Sequence, residues 1–92
     1  MIRATCAPRR MVLEGHAGYG PKGSDIVCAA VSILVYVQVH LLEERHALVR
    51  SVMRPGYVEL EADEKGDLRV LALGLQMLAR EYPRCVRIEE KN

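Results

Sequence analysis

A chain of 92 residues with 13 Lys plus Arg, 12 Asp plus Glu and half its positions hydrophobic has the composition of one folded domain, residues 1–92, with no room for a second. A net charge of +1, the absence of any block of like charges, and four tyrosines as the only aromatic residues exclude both the basic groove and the stacking platform of a nucleic-acid binder. A domain of this size buries only roughly 60 to 65% of the surface its unfolded chain exposes, so a partner subunit would strengthen a marginal core.

In chain order, Met1 to Ala7 alternates, with Ile2, Ala4 and Cys6 on one side and Arg3 and Thr5 on the other, the period of a half-buried strand. Ala7-Pro8-Arg9 supplies a turn and Arg10 to Glu14 a second short strand with Met11 and Leu13 pointing one way, which together predict a hairpin. Gly15 to Gly23, with four glycines and a proline in nine residues, can only be a loop. Ser24 or Asp25 then caps a helix from Ile26 to about Ala47 that is apolar almost all round for three turns. Such a helix must be covered on more than one side, by a sheet and by either the second helix or the same helix of another copy, and a homodimer is expected. Its apolar run, Ile26 to Leu42, is interrupted by Ser32, Gln38 and His40 and is shorter than the ~20 residues of a bilayer span, so no membrane partner is expected.

Arg54-Pro55-Gly56 breaks the chain, and Tyr57 to Ala62 follows as a strand with Val58 and Leu60 inward. After the polar turn Asp63 to Asp67, Asp67 caps a second helix with one stripe of Leu68, Leu71, Leu75, Leu78 and Tyr82 and another of Val70, Leu73 and Met77. Gly74, in mid-helix at a cost of about 1 kcal/mol against Ala, signals close helix packing. Pro83 ends the helix, and Arg84 to Glu89 forms a last strand. The order β-β-α-β-α-β predicts an α+β two-layer sandwich, a small antiparallel or mixed sheet with both helices on one face.

Three cysteines, Cys6, Cys28 and Cys85, are too few and too widely spaced for a disulfide framework or a paired-cysteine zinc site. They suit a reduced, intracellular protein. The first ten residues carry three arginines and no apolar run, so no secretory signal is expected and the chain reads as cytoplasmic. His40 and His46 are six positions apart, off the i, i+4 face, so no metal is expected, and no cofactor. Gly18, Gly20 and Gly23 spell the dinucleotide-binding spacing, but that motif needs a parallel βαβ unit and a second mononucleotide half for which the chain is too short. The phosphate loop of nucleotidases fails more simply, because Ser24 and Asp25 follow Gly23 where a lysine is required.

The segment from Gly15 to Ser32, GHAGYGPKGSDIVCAAVS, is the one that can carry chemistry. His16 leaves the end of a strand, and Cys28 lands in the first turn of an apolar helix, where unpaired N–H groups and the helix dipole favour a thiolate. The loop between them can fold back and bring imidazole and sulfur together, and the same N–H groups offer a seat for an oxyanion. By themselves, a cysteine and a histidine at this separation are as readily a small buried thiol and a loop histidine.

The same segment resembles the signature of the ribosomal-processing cysteine proteases of bacteria (Prp type): a Gly-His-Ala at a strand end, a glycine-containing loop, and Asp-Ile-Val-Cys-Ala-Ala-Val-Ser at a helix start. Leu73-Gly74-Leu75, Glu81-Tyr82-Pro83 and the Arg-x-Val-x-Ile strand extend the resemblance over nearly the whole chain. The short first hairpin around Pro8-Arg9-Arg10, and Cys85 in a place more usually aromatic, are its departures. The resemblance implies a cysteine endopeptidase that removes the N-terminal extension of a precursor of large-subunit ribosomal protein twenty-seven, with Cys28 as nucleophile and His16 as general base. Asp25 either caps the helix or also orients His16, and Ser32, one turn after Cys28, bonds the sulfur or, more ordinarily, the Cys28 carbonyl. Gly15, Gly18, Tyr19, Gly20 and Gly23 would form a substrate loop able to open and close, with Tyr19 stacking on the substrate or lying on the surface. The rival is a non-catalytic ribosome-associated or assembly protein that dimerises through its apolar helix; an intact His16 and Cys28 count against it.

Overall fold

The N-terminal alternation has its expected result: Ile2, Ala4 and Cys6 are buried on one face of β1 (Ile2–Ala7), and a turn at Pro8-Arg9 returns the chain as β2 (Arg10–Glu14), with Met11 and Leu13 buried beside them. The structure is a computed structural model that describes residues 1–91. The remaining elements are α1 (Ile26–Glu44), β3 (Leu48–Arg54), β4 (Tyr57–Ala62), α2 (Arg69–Glu81) and β5 (Val86–Glu90). The five strands lie in the order β3-β4-β2-β1-β5. β1 pairs antiparallel with β2, placing Cys6 opposite Met11 and Ala4 opposite Leu13, and parallel with β5, placing Ile2 opposite Val86. β4 is antiparallel to both β2 and β3, so the sheet is mixed.

One face of this sheet carries the apolar partners in register: Cys6, Met11 and Leu60, then Ala4, Leu13 and Val58. Both helices pack on it, which is the expected two-layer α+β sandwich. α1 contributes Val27, Val31, Val35, Val39 and Leu42 and α2 contributes Leu71 and Leu75 to the same buried cluster. At roughly 1.5–3 kcal/mol for each fully buried aliphatic side chain, this layer is the dominant favourable term holding the helices to the sheet. α2 also covers a second side of α1. A Cβ at Gly74 would lie 2.5 Å from the Leu34 methyls, so the glycine leaves the room that Leu34 of α1 fills.

The chain between the first helix and the Arg54-Pro55-Gly56 turn differs from expectation. α1 stops at Glu44 rather than near Ala47, because His46 adopts a left-handed conformation (φ 54°) and the Ala47 N–H folds back to the Leu42 carbonyl at 2.8 Å. The freed residues form β3, an additional strand, and the element order is β-β-α-β-β-α-β. β3 is an edge strand with a register shift between Leu48 and Arg50 and most of its side chains exposed, so it carries no clean alternation. A parallel βαβ unit does not form around the glycine loop, since both neighbours of β2 are antiparallel to it.

The second helix begins at Arg69, with Asp67 Oδ1 accepting the Arg69 N–H at 3.0 Å from just outside it. Its Leu71 N–H is satisfied from the other helix: Gln38, 2% exposed, accepts that bond at 3.0 Å through Oε1 and donates through Nε2 to the Asp67 carbonyl at 3.0 Å. Gln38 therefore does for α2 what an N-cap side chain does elsewhere. Gln38→Leu fits the volume but strands both backbone groups, and it should lower the free energy of unfolding by about 1–3 kcal/mol in urea titrations. Unchanged stability would show that the two bonds carry no net weight.

Candidate active site

The site begins where β2 ends. Gly15 continues the strand pairing by donating its N–H to the Gly56 carbonyl at 2.9 Å, and it does so at φ +100° with its Cα against the Met1 carbonyl, where any side chain would collide. This bond sets His16 directly beside the β3–β4 turn. A Cβ at Gly56 would lie 2.9 Å from His16 Nε2 and 3.3 Å from Cε1, so the imidazole rests on bare backbone. Gly56 has φ +73°, a second reason for glycine at this position.

Cys28 arrives from the other layer. Asp25 is the N-cap of α1, and its Oδ1 accepts the N–H groups of Val27 and Cys28, each at 3.0 Å. Its Oδ2 accepts the N–H groups of Tyr19 and Gly20 at 2.9 and 3.1 Å, so one carboxylate ties the glycine loop to the helix. The Cys28 N–H above all, joined by those of Gly20, Tyr19 and Val27, holds the Asp25 carboxyl below the usual carboxylate range and outweighs its desolvation. Ala17, buried, donates its N–H to Cys28 Sγ at 3.4 Å.

His16 and Cys28 together line two adjoining clefts. The smaller, about 240 Å³, is walled by Gly15, Leu13 and the turn residues Arg54 to Val58; the larger, about 580 Å³, by Gly18, Gly20, Gly23 and Asp25. His16, Cys28, Ser32 and Pro55 line both. A third hollow of about 290 Å³ continues from Ser32 and Pro55 between α1 and the hairpin and is floored by Val31, Val35, Met53 and Val58.

The structure thus gathers His16, Cys28, Asp25, Ser32 and the loop glycines at one place, and refines what each does there. Asp25 spends both oxygens on backbone N–H groups, so it acts as cap and loop anchor and not as a partner of His16. The bond to Cys28 Sγ comes from the Ala17 N–H, and the Ser32 hydroxyl is no party to it. Tyr19 does not line the clefts; its ring meets Tyr82 edge to face, with centroids 5.3 Å apart and planes at 81°. Three of the N–H groups at the start of α1 are already taken and offer no open oxyanion seat. Those of Val27 and Cys28 are held by Asp25 Oδ1, and that of Ala29 by the Asp25 carbonyl at 3.1 Å.

Sequence reasoning missed the wall formed by Arg54, Pro55, Gly56 and Tyr57. Arg54-Pro55-Gly56 is visible as a turn, but its place beside His16 requires β3 and the β2–β4 pairing. Cys6 and Cys85 are both buried, away from these clefts. Burial pushes the Cys6 thiol up, with the Glu90 charge adding to it.

Against this geometry stand the comparisons with known proteins. Residues 1–87 match the family model described as cysteine protease Prp. The chain is 29% identical over 96 residues to the ribosomal processing cysteine protease Prp of Mycoplasma pneumoniae, covering 99% of this chain and 96% of that protein. The essential ribosomal processing protease Prp from S. aureus, solved in complex with a covalently linked product peptide, superposes with a TM-score of 0.87 at 21% identity over 99% of this chain and 100% of that one. SMU.848 from Streptococcus mutans is 32% identical, with a TM-score of 0.78 over 98% of this chain and 93% of that one.

Because the Asp25 carboxyl is held low in the folded state, its contribution to stability is present above the ordinary Asp value of about 3.9 and is lost as pH falls below it through the lowered value. Thermal melts between about pH 6 and pH 2 should show a shallower acid limb for Asp25→Asn than for the parent chain. Coincident acid limbs would mean that the four N–H bonds add nothing to folding.

Proposed function

We propose that in this chain, which belongs to the cysteine protease Prp family, Cys28 is the nucleophile and His16 the general base. As a member of that family the chain is a cysteine protease of the ribosomal-processing group. The observation that carries the residue assignment is the sharing of both clefts by one thiol and one imidazole, while the two other thiols are buried elsewhere.

The chemistry follows from the residues. Cys28 gives its proton to His16, and Sγ attacks the scissile carbonyl carbon, the π pair moving onto oxygen. The Ala17 N–H, directed at Sγ, complements the negative charge on sulfur before attack. The tetrahedral adduct collapses, the C–N bond breaks, and the imidazolium returns its proton to the leaving amine. Water, deprotonated by His16, then attacks the thioester and frees Cys28 with the acid product. His16 and Cys28 are not hydrogen-bonded in this structure, and a substrate closing the loop over the clefts would bring them together.

The proposed substrate is the precursor of large-subunit ribosomal protein twenty-seven, from which the enzyme removes the N-terminal extension. The extended cleft and its apolar continuation along Val31, Val35, Met53 and Val58 support a peptide of apolar character. The Mycoplasma relative is named for ribosomal processing, and the S. aureus relative holds a product peptide covalently. We also propose that the protein works in the cytoplasm, where such a precursor is made, and as a homodimer. α1 leaves Ile26, Ile33, Tyr36 and Val37 exposed and α2 leaves Val70, Leu73 and Met77 exposed, which supports coverage by a second copy.

Mass spectrometry of the purified protein mixed with its own organism's unprocessed ribosomal protein twenty-seven should show loss of the extension. Cys28→Ala should abolish the cut and His16→Ala should slow it at least about 100-fold, whereas Cys6→Ala and Cys85→Ala should keep it within a few fold. Turnover by Cys28→Ala would remove Cys28 from its role, and an intact precursor with the parent enzyme would remove the substrate. In sedimentation velocity the parent chain should run as a dimer and Ile33→Asp as a monomer. A monomeric parent would refute the homodimer.

A further inference from the structure

We infer that Tyr82, at the opposite end of the chain from the catalytic segment, is a positioning residue for catalysis: its ring seats Tyr19 and thereby fixes the glycine loop that walls the cleft over Cys28. The inference rests on the reading of that cleft as catalytic.

The loop is fastened at few points. Gly18 and Gly23 take positive φ values of 70° and 89°, and a Cβ on either would meet nothing within 4 Å, so neither is packed against the body of the protein. Yet Gly18, Gly20 and Gly23 line the larger cleft together with Cys28 and His16. Tyr19, between Gly18 and Gly20, is where two of the loop's anchors meet. Its backbone N–H is held by Asp25 Oδ2 at 2.9 Å, and its ring is held by Tyr82. Asp25 also holds the Gly20 N–H at 3.1 Å and Ala17 is buried beside Cys28, so these bonds locate the loop backbone, and the ring contact with Tyr82 ties the exposed Tyr19 to the body of the protein.

Tyr82 suits the part of fixed seat. It is the C-cap of α2, its N–H donates to the Leu78 carbonyl at 2.7 Å, and its own carbonyl accepts from Cys85 at 2.9 Å and from Val86 at 3.1 Å. Its backbone is thus clamped between α2 and β5, and its half-buried ring packs against the core, whereas Tyr19 is 51% exposed. The edge-to-face geometry directs the positive rim of one ring at the negative face of the other, an attraction that depends on orientation and that an aliphatic side chain cannot reproduce.

The test is a double-mutant cycle: parent, Tyr19→Ala, Tyr82→Ala and the double variant, with Tyr82→Phe as the conservative replacement. Each single Ala variant should lower kcat/KM roughly threefold to tenfold, mainly through KM, the double variant should be no worse than either single one, and Tyr82→Phe should restore the parent value. A second readout needs no substrate. Trypsin should cut after Lys22 in the loop several-fold faster in Tyr82→Ala than in the parent or Tyr82→Phe, with no matching gain at Arg45 or Arg50, which report general loosening. Independent, multiplying losses from the two single variants, or unchanged cutting at Lys22 in Tyr82→Ala, would overturn the inference. If the parent chain leaves the precursor intact, the proposed substrate fails on its own, and the trypsin pattern still decides the role of Tyr82.

Discussion

The site is organised by the two oxygens of one carboxylate. Oδ1 of Asp25 satisfies two of the orphan N–H groups that every helix presents at its start, and Oδ2 holds two consecutive N–H groups of the glycine loop. A helix end and a loop that would otherwise be hydrated separately become one unit, and Cys28 sits in it. The arrangement also has a chemical consequence. A helix N-terminus attracts anions through its free donors and its dipole, but here the protein supplies the anion itself. The positive end of α1 is spent on structure, and sulfur receives its donor from Ala17, on the strand side of the loop.

The proposed nucleophile and base come from different layers, so their juxtaposition is a property of packing. His16 is carried by the sheet, through β2 and the Gly15–Gly56 bond, while Cys28 is carried by the helix layer. Leu13 and Val31, both buried, line the smaller cleft with them. A cavity or an overpacked side chain at this junction would shift His16 against Cys28 before it threatened the fold, since a core relaxes only partially around a volume change. The open approach of His16 to Cys28 fits this division. The loop that joins the layers is glycine-rich, so one layer can shift on the other as a peptide is bound without straining the link between them.

What could be read in advance follows the strength of the local signal. β1, β2 and β4 each bury one face and expose the other, so Ile2, Ala4, Cys6 and Met11, Leu13 and Val58, Leu60 announce themselves by period. The cap at Asp25 and the cysteine three positions on are equally local, and they place the thiol correctly. β3 left no such mark, because an exposed edge strand with a bulge does not alternate, and α1 ends on His46 rather than on the glycine that signals a stop. Losing β3 meant losing the wall that holds His16, although Arg54-Pro55-Gly56 was legible as a turn. The expected oxyanion seat failed for a different reason. That N–H groups at a helix start are unpaired is true of an isolated helix, and it ceases to hold once the capping side chain is counted. The Tyr19–Tyr82 contact joins residues from opposite ends of the chain and has no local signature at all.

The open face of the sheet bears on the site as well. Glu59, although it points away from the helices, is buried under Tyr57, Arg10 and Arg50: Tyr57 donates its hydroxyl to Oε1 at 2.9 Å, and the two guanidiniums approach Oε2 at 3.0 and 3.3 Å. The Tyr57 hydroxyl first, then the Arg10 guanidinium, hold this carboxyl below its usual range. The three partners belong to β4, β2 and β3, so the network pins the β3–β4 hairpin to the strand that delivers His16. Arg54 closes over the Tyr57 ring at 4.8 Å, and both residues line the smaller cleft. An exposed ion pair contributes little to stability, but a network that draws three strands onto one shielded carboxylate restrains geometry. Here the geometry restrained is that of the turn against which the His16 imidazole rests, which makes the polar face of the sheet a support for the candidate site at its end.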